Sequence, residues 1–202
     1  MAHVGYAKGR SRRHAIVEAA ILLFAEVGYH AASLRELASR VGMTHPGLLH
    51  HFPDKAALLQ AVLAYRDESD RAAVDEEAQR GIDPIESFVR IVERNALRRP
   101  LIEAFAALEA EATTEGHPAH RYFADRSETT MAEIRDEFFA RAERGELAPG
   151  LDPEHVARNF AALMDGLQIQ WLYSLGSEGR ERVDMAAHLR SYLSAVLRER
   201  PA

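Results

Sequence analysis

Cysteine is absent from this 202-residue sequence. Without thiols the chain cannot form disulfides or thiolate metal sites, and a reducing cytoplasm is the simplest compartment for it. No apolar stretch reaches the roughly 20 residues expected of a membrane span, and the basic N-terminal segment lacks the apolar run of a signal peptide. We therefore expect a cytoplasmic protein that has no membrane partner.

Proline and glycine are also few, at eight and twelve residues, whereas 47% of the residues are hydrophobic and 28% are charged. This composition excludes a largely disordered chain and is sufficient for a buried core. Apolar residues recur every three or four positions, and no segment alternates as a strand does. The sequence therefore predicts an all-α protein of about nine helices, the first over Ser11–Val27.

The net charge of −6 is unevenly distributed. Residues 1–55 contain seven basic and four acidic side chains, which gives +3 and leaves −9 for the remainder. A basic end on an acidic protein confines attraction for phosphate to that end. Charge alone fits a solvated basic tail equally well, so the interpretation depends on motifs.

A helix-turn-helix pattern follows the first predicted helix. Ser33 and Glu36 form a capping box that opens a short helix, in which Ser33 accepts from the amide three residues on. Gly42 permits a turn, and Thr44 caps a second helix with Pro46 in its first turn. Buried apolar side chains are expected at Leu34, Leu37, Ala38, Leu48 and Phe52. The exposed N-terminal end of the second helix then fits the DNA major groove.

Residues 33–59 read SLRELASRVGMTHPGLLHHFPDKAALL and resemble the signature of the tetracycline-repressor (TetR) family of regulators. The family order is a helix led by Ser or Thr, a turn of Gly, a hydrophobe and Ser or Thr, and then Leu-Tyr-x-His-Phe-x-x-Lys-x-x-Leu. The resemblance implies an all-helical homodimer that represses transcription and releases a palindromic operator when a small molecule binds. It implies a DNA-binding domain over 1–55 and a larger regulatory, ligand-binding and dimerisation domain over 56–202.

The resemblance also assigns roles within the motif. Thr44 and Lys55 match phosphate-contacting positions, and His45, Pro46 and Gly47 match base-reading positions. With the basic arm before the first helix included, the predicted DNA-binding residues are Arg10, Arg12, Arg13, Ser33, Thr44, His45, Pro46, Gly47, His50, His51 and Lys55. The partner is double-stranded operator DNA.

Two positions depart from the family pattern. Pro46 stands where glycine is common, and Leu49 stands where a tyrosine commonly contacts phosphate through its hydroxyl. Leu49 cannot donate such a bond, so either His50 or an arm residue compensates, or the contact is missing. The arm itself fits a solvated tail as well as a groove contact.

Aromatic and sulfur-bearing residues in the later helices predict an apolar ligand pocket, and the resemblance implies that the apolar stripes of the last two helices form a dimer interface. The ligand is expected to be mostly apolar or aromatic. Predicted pocket residues are Phe105, His120, Phe123, Met131, Phe138, Asn159, Met164, Gln168 and Trp171. Predicted dimer residues are Phe160, Leu163, Gly166, Leu167, Gln170, Leu189, Tyr192, Leu193 and Val196. An ordinary monomeric core explains the stripes equally well, so dimerisation depends mainly on the resemblance.

Metal and enzyme interpretations find less support. His45, His50 and His51 point in three directions on a helix that turns about 100° per residue, so they cannot share one ion. His117 and His120, with Glu115 near, are only an incomplete ligand set. No nucleophile elbow, phosphate loop or HExxH helix is present. We therefore predict no enzyme, cofactor or metal, and keep a helical protein-interaction module and a metal-binding sensor as alternatives.

Overall fold

A computed structural model describes residues 2–176 and 181–198, with side chains from residue 11 onward. In these ranges the chain forms nine helices and no strand, apart from an isolated bridge between Leu147 and Leu197. The helices are α1 Ala2–Ala31, α2 Leu34–Arg40, α3 His45–Leu49, α4 Lys55–Gln79, α5 Pro84–Ala96, α6 Arg99–Ala112, α7 His120–Glu143, α8 Pro153–Leu175 and α9 Met185–Val196. The predicted all-α class is confirmed.

The chain divides into two compact units. The first contains Met1–Ala73 and Arg98–Phe123, and its core is formed by α1, α2, α3, the first part of α4, and α6. Helix α6 packs along α1. Phe24, Phe52 and Phe105 are completely buried there, which removes a large apolar area from water.

The second unit contains Val74–Leu97 and Ala124–Ala202. Phe160 of α8 contacts Phe138 of α7 with 5.8 Å between ring centroids, and both rings are fully buried. Arg141 is also buried, and it pairs with Asp83, the N-cap of α5. Because a buried cation requires such partners, this contact fixes the start of α5 against α7.

Two features differ from the sequence expectations. Helix α1 begins at Ala2 rather than Ser11, since no proline interrupts residues 2–10, and it is kinked at Gly28, directly after the predicted end, where the backbone is non-helical with φ 73° and ψ 176°. The chain also passes between the units three times, after Ala73, Leu97 and Phe123, whereas domains over 1–55 and 56–202 would be joined by a single crossing. The functional boundary at residues 55/56 stays a prediction, since compactness does not test which residues bind DNA.

Residues Ser11–Ala31 of α1 are long and apolar enough to cross a membrane by length and composition. The sequence analysis expected no such segment. In the structure, however, Ile16, Ala20, Leu23 and Phe24 are buried in the core of the first unit. Core helices of soluble proteins have the same composition, so this segment is weak evidence for a membrane association.

Candidate nucleic-acid interface

Helix α2 begins and ends with defined caps. Ser33 Oγ accepts from the amide of Arg35 at 3.2 Å, two residues on instead of the predicted three, and Glu36 pairs with Arg40. At the other end Gly42 takes φ +64°, and the Met43 amide donates to the Ala38 carbonyl at 2.8 Å. This bond is the Schellman arrangement that satisfies helix-end carbonyls. The turn predicted at Gly42 is therefore present.

Helix α3 is short, and its first turn is exposed. Thr44 Oγ1 accepts from the Gly47 amide at 3.2 Å and so caps the helix. Pro46 is exposed and His45 is half-buried, whereas Leu48 and Phe52 are at most 1% exposed. The buried pair fixes the helix on the core, so Thr44–Gly47 present a rigid surface to solvent.

Arg40 connects α2 to α1. Its guanidinium donates to both carboxylate oxygens of Glu26 at 2.9 and 2.6 Å, and also to Glu36 at 2.6 Å. These bonds hold the pKa of the Glu26 carboxyl below its usual value. This contact could not be predicted from the sequence, because two residues 14 positions apart on different helices leave no local signal.

The basic arm is helical. Arg12 and Arg13 lie within α1 and are exposed, so they do not precede the first helix as predicted. The Arg13 guanidinium lies 4.1 Å from the centre of the Phe52 ring and donates to the His51 carbonyl at 3.2 Å. Arg13 therefore packs on the end of the helix-turn-helix. The side chain of Arg10 lies outside the described residues.

Lys55 has an internal role in addition to the predicted one. Its ammonium donates to the carbonyls of Tyr29, His30 and Ala32 at 2.8, 3.0 and 3.0 Å, which uses all three of its protons. A cation at this end of α1 is also favoured by the helix dipole. The predicted phosphate contact therefore requires Lys55 to exchange one of these bonds for a phosphate oxygen.

The structure distributes the predicted pocket residues over both units. Phe105 and Phe123 contact each other in the first unit, with 6.0 Å between ring centroids. His120 lies in the same unit, and its Nδ1 is 2.8 Å from the Ala112 carbonyl. In the second unit Phe138 and Trp171 are buried, Asn159 is exposed, and Met131, Met164 and Gln168 are half-buried. These positions do not test the pocket, which stays a prediction.

Most predicted dimer residues are covered within one chain. Buried residues of the second unit in this set are Phe160, Leu167, Leu189, Leu193 and Val196. Leu163, Gly166 and Tyr192 are half-buried, Gln170 is exposed, and the Tyr192 hydroxyl donates to the Val156 carbonyl. The sequence analysis missed Ile169 and Tyr173, which are 42% and 72% exposed on α8.

Two parts of the chain match models of known protein families. Residues 16–62 match the family model of bacterial regulatory proteins of the tetR family, and residues 84–198 match that of the C-terminal part of BetI-type transcriptional repressors. The chain is 28% identical over 188 residues to the HTH-type transcriptional repressor KstR of Mycolicibacterium smegmatis, covering 89% of this chain and 87% of that protein.

Two further proteins that resemble this chain are also transcriptional regulators. The HTH-type transcriptional regulator TtgR of Pseudomonas putida is 27% identical over 181 residues, covering 82% of each chain. A transcriptional regulator from Saccharomonospora viridis, solved in complex with choline, is 27% identical with a TM-score of 0.66, covering 94% of this chain and all of that one. The protein belongs to the tetR family of bacterial transcriptional regulators and has a C-terminal region of the BetI type.

Proposed function

We propose that this protein is a DNA-binding transcriptional repressor whose homodimer binds a palindromic operator and dissociates from it when a small molecule binds. The exposed first turn of α3, fixed on the buried Leu48 and Phe52, is the observation that carries the proposal. A helix end of this kind reads the major groove. Because the family of this protein regulates transcription, we assign the protein no catalytic role and place it in the cytoplasm with its operator.

The side chains at this helix end set how DNA is read. Pro46 and Gly47 offer only apolar contact, for example to a thymine methyl group, whereas His45 and Thr44 can bond a base edge or a phosphate. Few donors therefore face the bases. We expect each good base contact to contribute on the order of 1 to 3 kcal/mol, and overall base discrimination to be modest.

The DNA-binding proposal is tested with duplexes selected by the purified protein from a random pool. Fluorescence anisotropy then compares the wild type with His45→Ala on the selected duplex and on a scrambled one. We expect His45→Ala to weaken specific binding about tenfold, or ~1.4 kcal/mol, without changing binding to the scrambled duplex. His188→Ala, at an exposed position in α9, is the matched control. Failure to select any sequence contradicts the proposal.

The homodimer is proposed to form through α8. Ala162, Gly166, Ile169, Gln170 and Tyr173 recur at intervals of three or four residues and so share one side of the helix. On this side of α8, the small residues Ala162 and Gly166 permit close approach of a second helix. Ile169 and Tyr173 add two exposed apolar side chains. A two-fold dimer through this side provides two recognition helices for two half-sites.

The effector is proposed to be a mostly apolar or aromatic small molecule bound by the C-terminal region. A regulator of 27% identity was solved with choline, so choline belongs in the first set of compounds. The ligand must favour the conformation that does not bind DNA, since equal binding to both states shifts nothing. A thermal-shift screen followed by release of the selected duplex tests this. If every compound that binds leaves DNA affinity unchanged, ligand control is contradicted.

A further inference from the structure

Three side chains in the first unit form a cluster that the proposed DNA binding does not use. They are His30 near the end of α1, Glu111 near the end of α6, and His117 in the following loop. One ligand atom of each lies within 4.8 Å of the others. The sequence spacing grouped His117 with His120 and Glu115, whereas the His120 ring contacts the Ala112 carbonyl.

The buried histidine gives this cluster an unsatisfied ligand atom. The side chain of His117 is completely buried, and its Nε2 makes no hydrogen bond. The nearest carboxylate oxygen, Oε2 of Glu111, is 3.6 Å away. A buried polar atom without a partner requires an explanation, and a cation between Nε2 and the carboxylate supplies one.

The backbone is shaped so that the carboxylate reaches this position. Both Glu111 oxygens accept from the Tyr29 amide, at 3.2 and 3.1 Å. Gly28 makes this approach possible, because a Cβ at that position would collide with Oε1 of Glu111. The carboxylate is thus oriented by α1 itself. The side chain of His30 is exposed, and its ring contacts that of His117, with 5.3 Å between ring centroids.

We propose that His30, Glu111 and His117 bind a divalent transition-metal ion, with Zn²⁺ as the preferred ion. Two imidazoles and one carboxylate are a ligand set that Zn²⁺ takes with a water molecule in the fourth position. Ligand atoms of a tetrahedral zinc site lie about 3.3 Å apart, which follows from metal–ligand distances of about 2.0 to 2.1 Å. The 3.6 Å pair is already near this value, and rotation of His30 closes the third side.

Metal binding has one structural cost at His117. Its Nδ1 accepts from the Ala119 amide at 3.2 Å, so in the neutral ring the proton is on Nε2. A metal ion at Nε2 moves that proton to Nδ1 and replaces the hydrogen bond from Ala119. The loop that carries His117 therefore adjusts when the ion binds. The inference does not depend on DNA binding.

Calorimetric titration of the full chain, metal-stripped and without a polyhistidine tag, with Zn²⁺ tests the proposal. We expect one ion per chain, and at least about a tenfold loss of affinity in His30→Ala and in Glu111→Gln. His14→Ala is the matched control, because His14 and Glu18 form an exposed pair at 3.4 Å. Co²⁺ gives a second readout, with an absorption spectrum of four-coordinate type expected in the wild type only.

His30 is exposed, so its replacement does not threaten folding. His117→Gln tests the buried ligand, with circular dichroism to verify the fold. The proposal is overturned if Zn²⁺ does not bind at one equivalent, or if His30→Ala binds it as the wild type does. A loss of affinity in His14→Ala equal to that in His30→Ala also overturns it, since binding then reflects surface histidines in general.

Discussion

At the scale of single residues, the position of Gly28 imposes two requirements that only glycine meets. Its φ of +73° is in the left-handed region, and a Cβ there would collide with Glu111. The first requirement has a local signal, because Gly28 directly follows an apolar helical repeat, where a glycine commonly ends a helix. The second depends on α6, whose Glu111 lies 82 residues further along the chain from Tyr29, and local sequence does not contain it.

Replacement of Gly28 by alanine separates these two requirements. We expect Gly28→Ala to reduce the free energy of unfolding by about 2 to 4 kcal/mol, from the strain of a side chain at φ 73° and ψ 176° and from displacement of the Glu111 carboxylate from the Tyr29 amide. Gly81→Ala is the control, because Gly81 has φ +70° and nothing within 4 Å of the added Cβ. It should cost only about 1 to 2 kcal/mol. Urea denaturation measures both, and equal losses contradict the role of Glu111.

The two described arginines of the arm differ in their surroundings. Arg13 packs on Phe52, whereas Arg12 is exposed on α1. If Arg12 neutralises a phosphate, Arg12→Ala lowers the slope of log affinity against log salt by about 0.9. Arg13→Ala should in addition reduce stability by about 0.5 to 1 kcal/mol through loss of the contact with the ring. A salt titration checks this, and an unchanged slope in Arg12→Ala shows that Arg12 contacts no phosphate.

At the scale of helices, the two ends of α2 and the start of α3 show what the sequence predicts well. Caps and turn glycines act within a few residues, so Ser33, Gly42 and Thr44 were recognisable without the fold. The actual start of α1 was not, because a helix without a strong cap has no local signal for its first residue. Lys55 also has a contact that the motif does not reveal, since its three acceptors belong to α1 and the residues after it.

Removal of the Lys55 charge tests its capping of α1. Lys55→Met keeps the aliphatic stem and loses three donated hydrogen bonds, so we expect a loss of about 2 kcal/mol in the free energy of unfolding. Arg71→Met, at an exposed position on the same helix, is the control and should change stability little. Chemical denaturation measures both. Wild-type stability in Lys55→Met contradicts a structural role.

At the scale of the whole molecule, the apolar stripe of α8 has two sides with different roles. Phe160, Leu167 and Trp171 form the core of the second unit, whereas Ile169 and Tyr173 are exposed. The sequence analysis assigned several core residues to the dimer, because periodicity shows that a residue is on an apolar face but not which neighbour covers it. Because Phe160 and Leu167 are buried within the single chain, we place the proposed interface on the exposed side of α8, which keeps Gly166 and Gln170 of the predicted set and adds Ile169 and Tyr173.

Two glutamates placed on the exposed side of α8 test the dimer. Ile169→Glu combined with Tyr173→Glu should convert the protein to a monomer at micromolar concentration, because charged groups are costly in an apolar interface. Leu97→Glu is the control, since Leu97 is 87% exposed at the end of α5. Sedimentation velocity measures the masses. A dimer that persists in the double variant contradicts an interface through α8.

The sequence by itself determined the helical class, the helix-turn-helix and the family, because caps, glycine turns and a 3.6-residue period are local properties of the chain. Only the tertiary structure decided the partners of Lys55, Arg13 and Glu111, and which apolar residues are core. These depend on which helices pack together, and a contact such as that from Arg13 to the His51 carbonyl joins positions 38 residues apart. Such pairs form only when distant segments pack together, so no local sequence pattern predicts them.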